Sequence, residues 1–216
     1  MKRSEKHIPF FSVVDAARSP GCMFCRLISS QTRKFLKTLL YENVTDAGFR
    51  KEWRASKGFC HRHAWMLADS QDALGIAILY QDLIGTCGPE LLAGKIAANC
   101  PVCEAENRAF DNHMGTLLQY ADDDELRRAI ESSEGLCVPH LRLVMCRLQH
   151  PGLRQALADA SARGMKTLHG ELGQLIESFD YRHPPPKDDR VRFAWRRAVE
   201  KLVGHHDVPK TEQAPT

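Results

Sequence analysis

A pair of cysteines three residues apart, followed more than thirty residues later by a cysteine and a histidine at the same spacing, occurs twice in this chain of 216 residues. Cys22 and Cys25 form the first CxxC, and Cys60 and His63 form the first CxxH within Gly58-Phe59-Cys60-His61-Arg62-His63. Cys100 and Cys103 repeat the CxxC 78 residues on, and Cys137 and His140 repeat the CxxH 77 residues on, within Gly135-Leu136-Cys137-Val138-Pro139-His140. Recurrence in register marks a repeated structural unit. It extends past the motifs: Leu36, Leu39 and Leu40 fall on Met114, Leu117 and Leu118, Gly58 on Gly135, and Phe59 on Leu136.

Both motifs suit the gripping of an ion. Two thiolates three positions apart meet one ion when they straddle a tight turn entering a helix, and Pro20-Gly21 and Pro101 supply that turn chemistry. The CxxH spacing puts sulfur and imidazole on one side of a helix's first turn, where the positive end of the helix dipole favours ionised thiols. Three sulfurs and one nitrogen fill a tetrahedral shell, the mark of a structural zinc site. The expected ligand sets, each within one repeat, are Cys22, Cys25, Cys60 and His63, and Cys100, Cys103, Cys137 and His140, holding two zinc ions. Exchange of CxxC and CxxH between the repeats would leave the same eight ligands, and the same donors can hold two iron-sulfur clusters. Residue types alone do not choose between these.

The repeat also sorts the remaining candidates. His61 falls on Val138 and drops out, and His113 falls on Phe35 and reads as a packed core histidine. Cys87 and Cys146 meet no cysteine in the other half, and both read as buried small hydrophobes. A thioredoxin-type CxxC would need surrounding strands, and Arg26 and Glu104 stand where c-type haem attachment needs histidine.

Apolar spacing is helical along nearly the whole chain, as in Leu27, Ile28, Phe35, Leu36, Leu39 and Leu40, and again in Leu153, Leu157, Ala160, Leu168, Leu172, Leu175 and Phe179. The expected fold class is all-α: two tandem helical repeats over residues 1–97 and 98–182, each clamped by a Cys3His site and packed together as one domain. Helices are expected from Pro9 to Arg18, after Cys25, from Asp46 to Ser56, across Cys60 and His63, from Asp72 to Lys95 and from Gly152 to Asp180, with a turn at Lys57-Gly58. Residues 183–216 form a third segment, in which Pro184-Pro185-Pro186 stops any helix. Arg190 to Val203 then reads as an amphipathic helix with Val191, Ala194, Trp195, Ala198, Val199 and Leu202 on its docking side, and His205 to Thr216 as a mobile tail.

A net charge of +3 is too weak a basic excess to argue for a nucleic-acid or anionic-membrane partner. The longest apolar run, Ala73 to Tyr80, falls far short of the roughly 20 residues of a membrane span. With no signal-peptide core at its start, the chain is expected to be cytoplasmic, where eight cysteines stay reduced and form no disulfide framework. Closed ligand sets and the lack of a convergent catalytic constellation point to a non-enzymatic, zinc-stabilised scaffold or adaptor for a protein partner. A redox or electron-transfer protein with two iron-sulfur clusters is the alternative. Lesser readings are a nucleic-acid-associated regulator acting through the arginines of the last helix, and a hydrolase using Glu104 or Glu171 near a metal.

These residues resemble a family of small bacterial and archaeal proteins of unknown function with duplicated CxxC and CxxH motifs. The resemblance rests on Ile8-Pro9-Phe10-Phe11 before Pro20-Gly21-Cys22-Met23-Phe24-Cys25, on the Gly-Phe-Cys and Gly-Leu-Cys turns, on Tyr181-Arg182, and on the closing Trp195-Arg196-Arg197-Ala198. It covers nearly the whole chain and implies an all-helical fold with no assigned reaction. The Pro-rich run between Tyr181 and Arg190 departs from that family's more acidic linker.

Overall fold

A computed structural model describes residues 6–94 and 99–207, and every regular element in them is helical. In chain order these are α1 (Ile8–Arg18), α2 (Met23–Thr38), a π turn (Leu39–Asn43), α3 (Ala47–Ala55), α4 (His61–Ala68), α5 (Ala73–Leu92), α6 (Pro101–Gln119), α7 (Asp124–Glu131), α8 (Val138–Arg147), α9 (Pro151–Glu177), α10 (Asp189–Arg192) and α11 (Ala194–Val203). The all-α expectation holds, and the helix starts follow cap chemistry: Asp46, Asp72 and Asp123 accept from the backbone amides of Phe49, Gly75 and Leu126. The expected turn is present, with Lys57 and Gly58 both at positive φ. Lys95, the expected end of α5, lies outside the described residues. No helix among those described is long and apolar enough to cross a membrane.

The chain divides into two compact units, one of Met1–Leu27 with Phe110–Thr216 and the other of Ile28–Ala109. Both divisions fall inside helices, α2 and α6, so the units are not the sequence repeats. In the continuous unit, Trp53 is fully buried, donates its indole N–H to the Leu79 carbonyl at 3.1 Å, and meets Phe59 edge-on at 4.8 Å between centroids. Leu36, Leu39, Leu67, Leu79 and Leu83 close around it. Burying an aromatic of this size, with its one polar atom satisfied, anchors α3 against α5.

In the other unit α1 packs on α7 and α7 on α9, with Phe10, Leu126, Ile130, Leu153, Leu157 and Ala160 buried. The chain before Cys137 runs so close to α9 that only glycine fits. A Cβ on Gly135 would stand 2.3 Å from Ser161 Cα, and one on Gly164 would stand 2.1 Å from the Glu134 carbonyl oxygen.

The C-terminal segment docks on the body, but not by the expected face. Its helix is broken at Phe193 into α10 and α11, and α11 packs on α8 and α9. Val191 and Ala194 are buried, whereas Trp195, Val199 and Leu202 are each more than half exposed. The inner face carries cations instead: Arg197 pairs with Glu171 at 2.5 Å and Lys201 donates to the Glu134 carbonyl at 2.7 Å. Acidic and carbonyl oxygens on the receiving surface reward arginine and lysine there, so the wider apolar stripe is left outward. Of the expected tail, Asp207 is buried and residues 208–216 lie outside the description.

Candidate metal centres

Each of the four motifs folds the same way. Cys22, Cys60, Cys100 and Cys137 stand directly before α2, α4, α6 and α8, and their carbonyls accept the first helical bonds, from the amides of Arg26, Ala64, Glu104 and Leu141. Their partners Cys25, His63, Cys103 and His140 are therefore third in each helix, on the same side of its first turn. Gly58 and Gly135, two residues before Cys60 and Cys137, both take positive φ, at 86° and 74°, which explains the glycine in each CxxH motif.

Pairing within a repeat, as expected from the sequence, is overturned. Cys22 and Cys25 meet Cys137 and His140, while Cys100 and Cys103 meet Cys60 and His63. The eight residues are those the repeat singles out, and the CxxC and CxxH are exchanged between repeats. The reason is visible in the compact units, each of which brings together the CxxC of one repeat and the CxxH of the other. Among the described residues these form two Cys3His groups whose donor atoms all lie within 4.8 Å of one another and could hold a metal ion.

In the first cluster, Cys25 and Cys137 Sγ are 3.7 Å apart, and His140 Nδ1 is 3.5, 3.3 and 3.2 Å from Sγ of Cys22, Cys25 and Cys137. In the second, Cys60 and Cys103 Sγ are 3.7 Å apart, and His63 Nδ1 is 3.3, 3.4 and 3.5 Å from Cys60, Cys100 and Cys103. Two helix N-termini point into each cluster, an arrangement that stabilises thiolates.

The charges follow. Burial pushes His63 down, but hydrogen bonds to Cys100 and Glu106 outweigh it and carry it up to about 9, while a hydrogen bond from Cys103 holds Cys100 down to about 3. His140, against a similar cost of burial, is carried up to about 10 by Cys137 and Cys22. Burial raises Cys22, yet hydrogen bonds from Cys137, Cys25 and His140 bring it well below the usual thiol range.

What surrounds the ligands was not legible in the repeat. Glu106 is 3% exposed and accepts from His63 Nε2 at 3.1 Å and from Thr32 Oγ1 at 2.8 Å, with Arg62 paired to its other oxygen. A carboxylate on Nε2 fixes the tautomer that leaves Nδ1 facing the thiols, as in carboxylate-histidine-metal triads. His140 instead lies against Phe110, stacked at 5.7 Å, and Phe24, at 5.6 Å. Lys201 lies beside that cluster, and burial holds its amine below the usual lysine range against the opposing pull of Cys22 and Cys137. A Cβ on Gly204 would lie 4.0 Å from both Cys25 and Cys137 Sγ.

The other candidates separate cleanly. His113 is buried, with neither ring nitrogen hydrogen-bonded, as a core histidine. Cys87 is buried as expected, but Cys146 is exposed, because it occupies an outward position of α8 whose counterpart in the repeat is Asp69. Glu104 is half exposed on α6, 3.8 Å from Arg108, and Glu171 is held by Arg190 and Arg197, and neither belongs to a cluster.

No curated protein and no solved structure matches the chain. The pattern of a family of unknown function, DUF6062, matches it twice, over residues 1–92 and 90–209. Two matches in tandem, each spanning one CxxC and one CxxH, account for nearly the whole length, and the chain belongs to DUF6062.

Proposed function

We propose that the chain is a zinc-stabilised helical scaffold or adaptor, with Cys22, Cys25, Cys137 and His140 holding one ion and Cys60, His63, Cys100 and Cys103 the other. The carrying observation is the spacing of the donors. Zinc bonds of about 2.3 Å to sulfur and about 2.0 Å to nitrogen, arranged tetrahedrally, place sulfurs about 3.8 Å apart and sulfur about 3.6 Å from nitrogen. The S···S separations of 3.7 Å and S···N separations of 3.2–3.5 Å fit that shell. An iron-sulfur cluster spreads its ligands over several iron atoms and needs them farther apart.

Zinc supplies a cross-link here. It ties Cys25 to Cys137, 112 residues away, and Cys60 to Cys103, 43 residues away. Four protein donors leave no position for an activated water, which supports a structural role over a hydrolytic one. The outward Trp195, Val199 and Leu202 of α11 supply apolar surface suited to a protein partner.

The test is elemental analysis and the absorption spectrum of protein purified without oxygen. Two zinc equivalents per chain and no visible colour are expected. A brown protein absorbing near 400 nm, with iron and sulfide in place of zinc, would overturn the reading.

A further inference from the structure

The two Cys3His groups are not the only convergence of metal-binding donors. Immediately after α11, His205, His206 and Asp207 bring two imidazoles and a carboxylate together, with their donor atoms all within 4.8 Å. His206 Nε2 lies 2.9 Å from Asp207 Oδ1 and His205 Nδ1 lies 3.8 Å from Asp207 Oδ2, while the rings stand 4.3 Å apart at 35°. A second carboxylate, Glu200, stands 4.0 Å from His205 Nε2 and also pairs with Arg196 at 3.7 Å.

We propose that His205, His206 and Asp207 form a third site, binding a divalent transition-metal ion exchangeably. Asp207 is only 6% exposed although it stands at the end of the described chain, and His205 is half-buried. A cation bridging the three would take the carboxylate as an anionic donor and use both rings in their neutral, ligating form. Imidazole and carboxylate donors suit zinc, nickel or cobalt. Three protein ligands, one of them on an exposed ring, leave coordination positions open to an incoming ligand, where the filled Cys3His groups leave none.

The segment is also anchored at its root. Gly204, at φ 87°, ends α11 with its N–H donated to the Glu200 carbonyl at 3.0 Å, beside the first cluster, where a Cβ would stand 4.0 Å from the sulfurs of Cys25 and Cys137. Donors borne on an anchored backbone lose less freedom on binding than the same three residues in a mobile tail.

Cobalt(II) titration of the full chain tests this, because thiolate-bound cobalt shows an intense sulfur-to-metal absorption that a nitrogen and oxygen site lacks. Wild type should take a third, weaker equivalent that adds no sulfur band, and the His205→Ala/His206→Ala double variant should lose that equivalent while keeping both sulfur-band equivalents. Asp207→Asn, which preserves side-chain shape, should weaken the third equivalent at least tenfold. A wild-type titration without this equivalent, or a double variant that retains it, overturns the proposal. The sulfur band reports the Cys3His sites separately, so a failure of the zinc reading would leave this result interpretable.

Discussion

The two clusters carry the same four donors in opposite surroundings. Thr32, Arg62 and Glu106 form a hydrogen-bonded group behind His63, and at the equivalent positions of the repeat stand Phe110, Pro139 and Ile28. Every polar member has an apolar counterpart. Phe110 itself stacks on His140, so an aromatic face does on one side what a buried carboxylate does on the other, which is to hold the imidazole plane. The electrostatics diverge as well: Lys201 lies beside the cysteines of the first cluster, whereas the second adds a carboxylate matched by Arg62. Donor identity answers to the ion, while the support behind a donor answers only to its own neighbours and is free to differ.

The largest effects test whether the clusters are independent and crossed. Cys25→Ser and Cys137→Ser should each remove one metal equivalent, and their combination should remove the same one. Cys25→Ser with Cys60→Ser should remove both. Elemental analysis decides it, and a Cys25→Ser/Cys60→Ser protein that keeps one equivalent would restore pairing within the repeats. Loss of a site should unfold its unit, since structural zinc contributes on the order of 10 kcal/mol of apparent binding energy in small fingers.

Next come the two motif glycines. Gly58→Ala should cost about 1–2 kcal/mol for its left-handed backbone, with Leu83, the nearest side chain at 3.0 Å, able to move aside. Gly135→Ala adds a clash with the α9 backbone and should cost about 2–5 kcal/mol in denaturant unfolding. Equal costs would contradict the closer approach on that side.

A smaller effect isolates the carboxylate. Glu106→Gln should weaken metal at the second cluster by about 10–100-fold and leave the first unchanged, as read by competition with a chelator. An unchanged affinity at both clusters would mean that Glu106 only fills space.

The smallest effect is in pH. Once stripped of metal, the second cluster keeps one proton on the Cys100–His63 pair between about 3 and about 9. The unfolded chain also keeps one between about 6.5 and about 8.5, after histidine and before cysteine deprotonates, so stripped protein should show flat stability across that window. Below about 6.5 the unfolded chain binds more protons and stability should fall with falling pH. Metal-loaded protein has no proton on this pair, so its stability should go on rising up to about 8.5. Parallel urea midpoints for the two forms would break the comparison.

The helical class, most helix positions and all eight cluster residues could be read from the sequence because each has a repeated local cause: a cap, an apolar period, or a donor three places into a helix. The pairing could not, since both arrangements satisfy the same spacings and only the long-range folding that puts each CxxC in one compact unit with the other repeat's CxxH decides. Glu106 was hidden by the rule that finds the ligands, because a residue facing Ile28 across the repeat fails a test of recurrence. The face on which α11 docks departs from its apolar pattern for another reason. Its stripe of Trp195, Val199 and Leu202 is the more apolar, yet Glu134 and Glu171 lie on the receiving surface and draw in Arg197 and Lys201. Cys146 was legible in hindsight, through Asp69.

Exchange of the motifs also sets a timetable. The pairings are nested like brackets, with Cys60 and Cys103 inside Cys25 and Cys137, so a ribosome finishes the inner set first. At about 5–20 residues per second, the 43 residues from Cys60 to Cys103 take roughly 2–9 s, and the 112 from Cys25 to Cys137 roughly 6–22 s. Through the later part of that interval Cys22 and Cys25 still lack their eventual partners, while Cys60 and His63 are on hand as the wrong ones. If metal binds during synthesis, the pairing within the first repeat is the one on offer for a stretch, and delivery of Cys100 and Cys103 would supply its competitor.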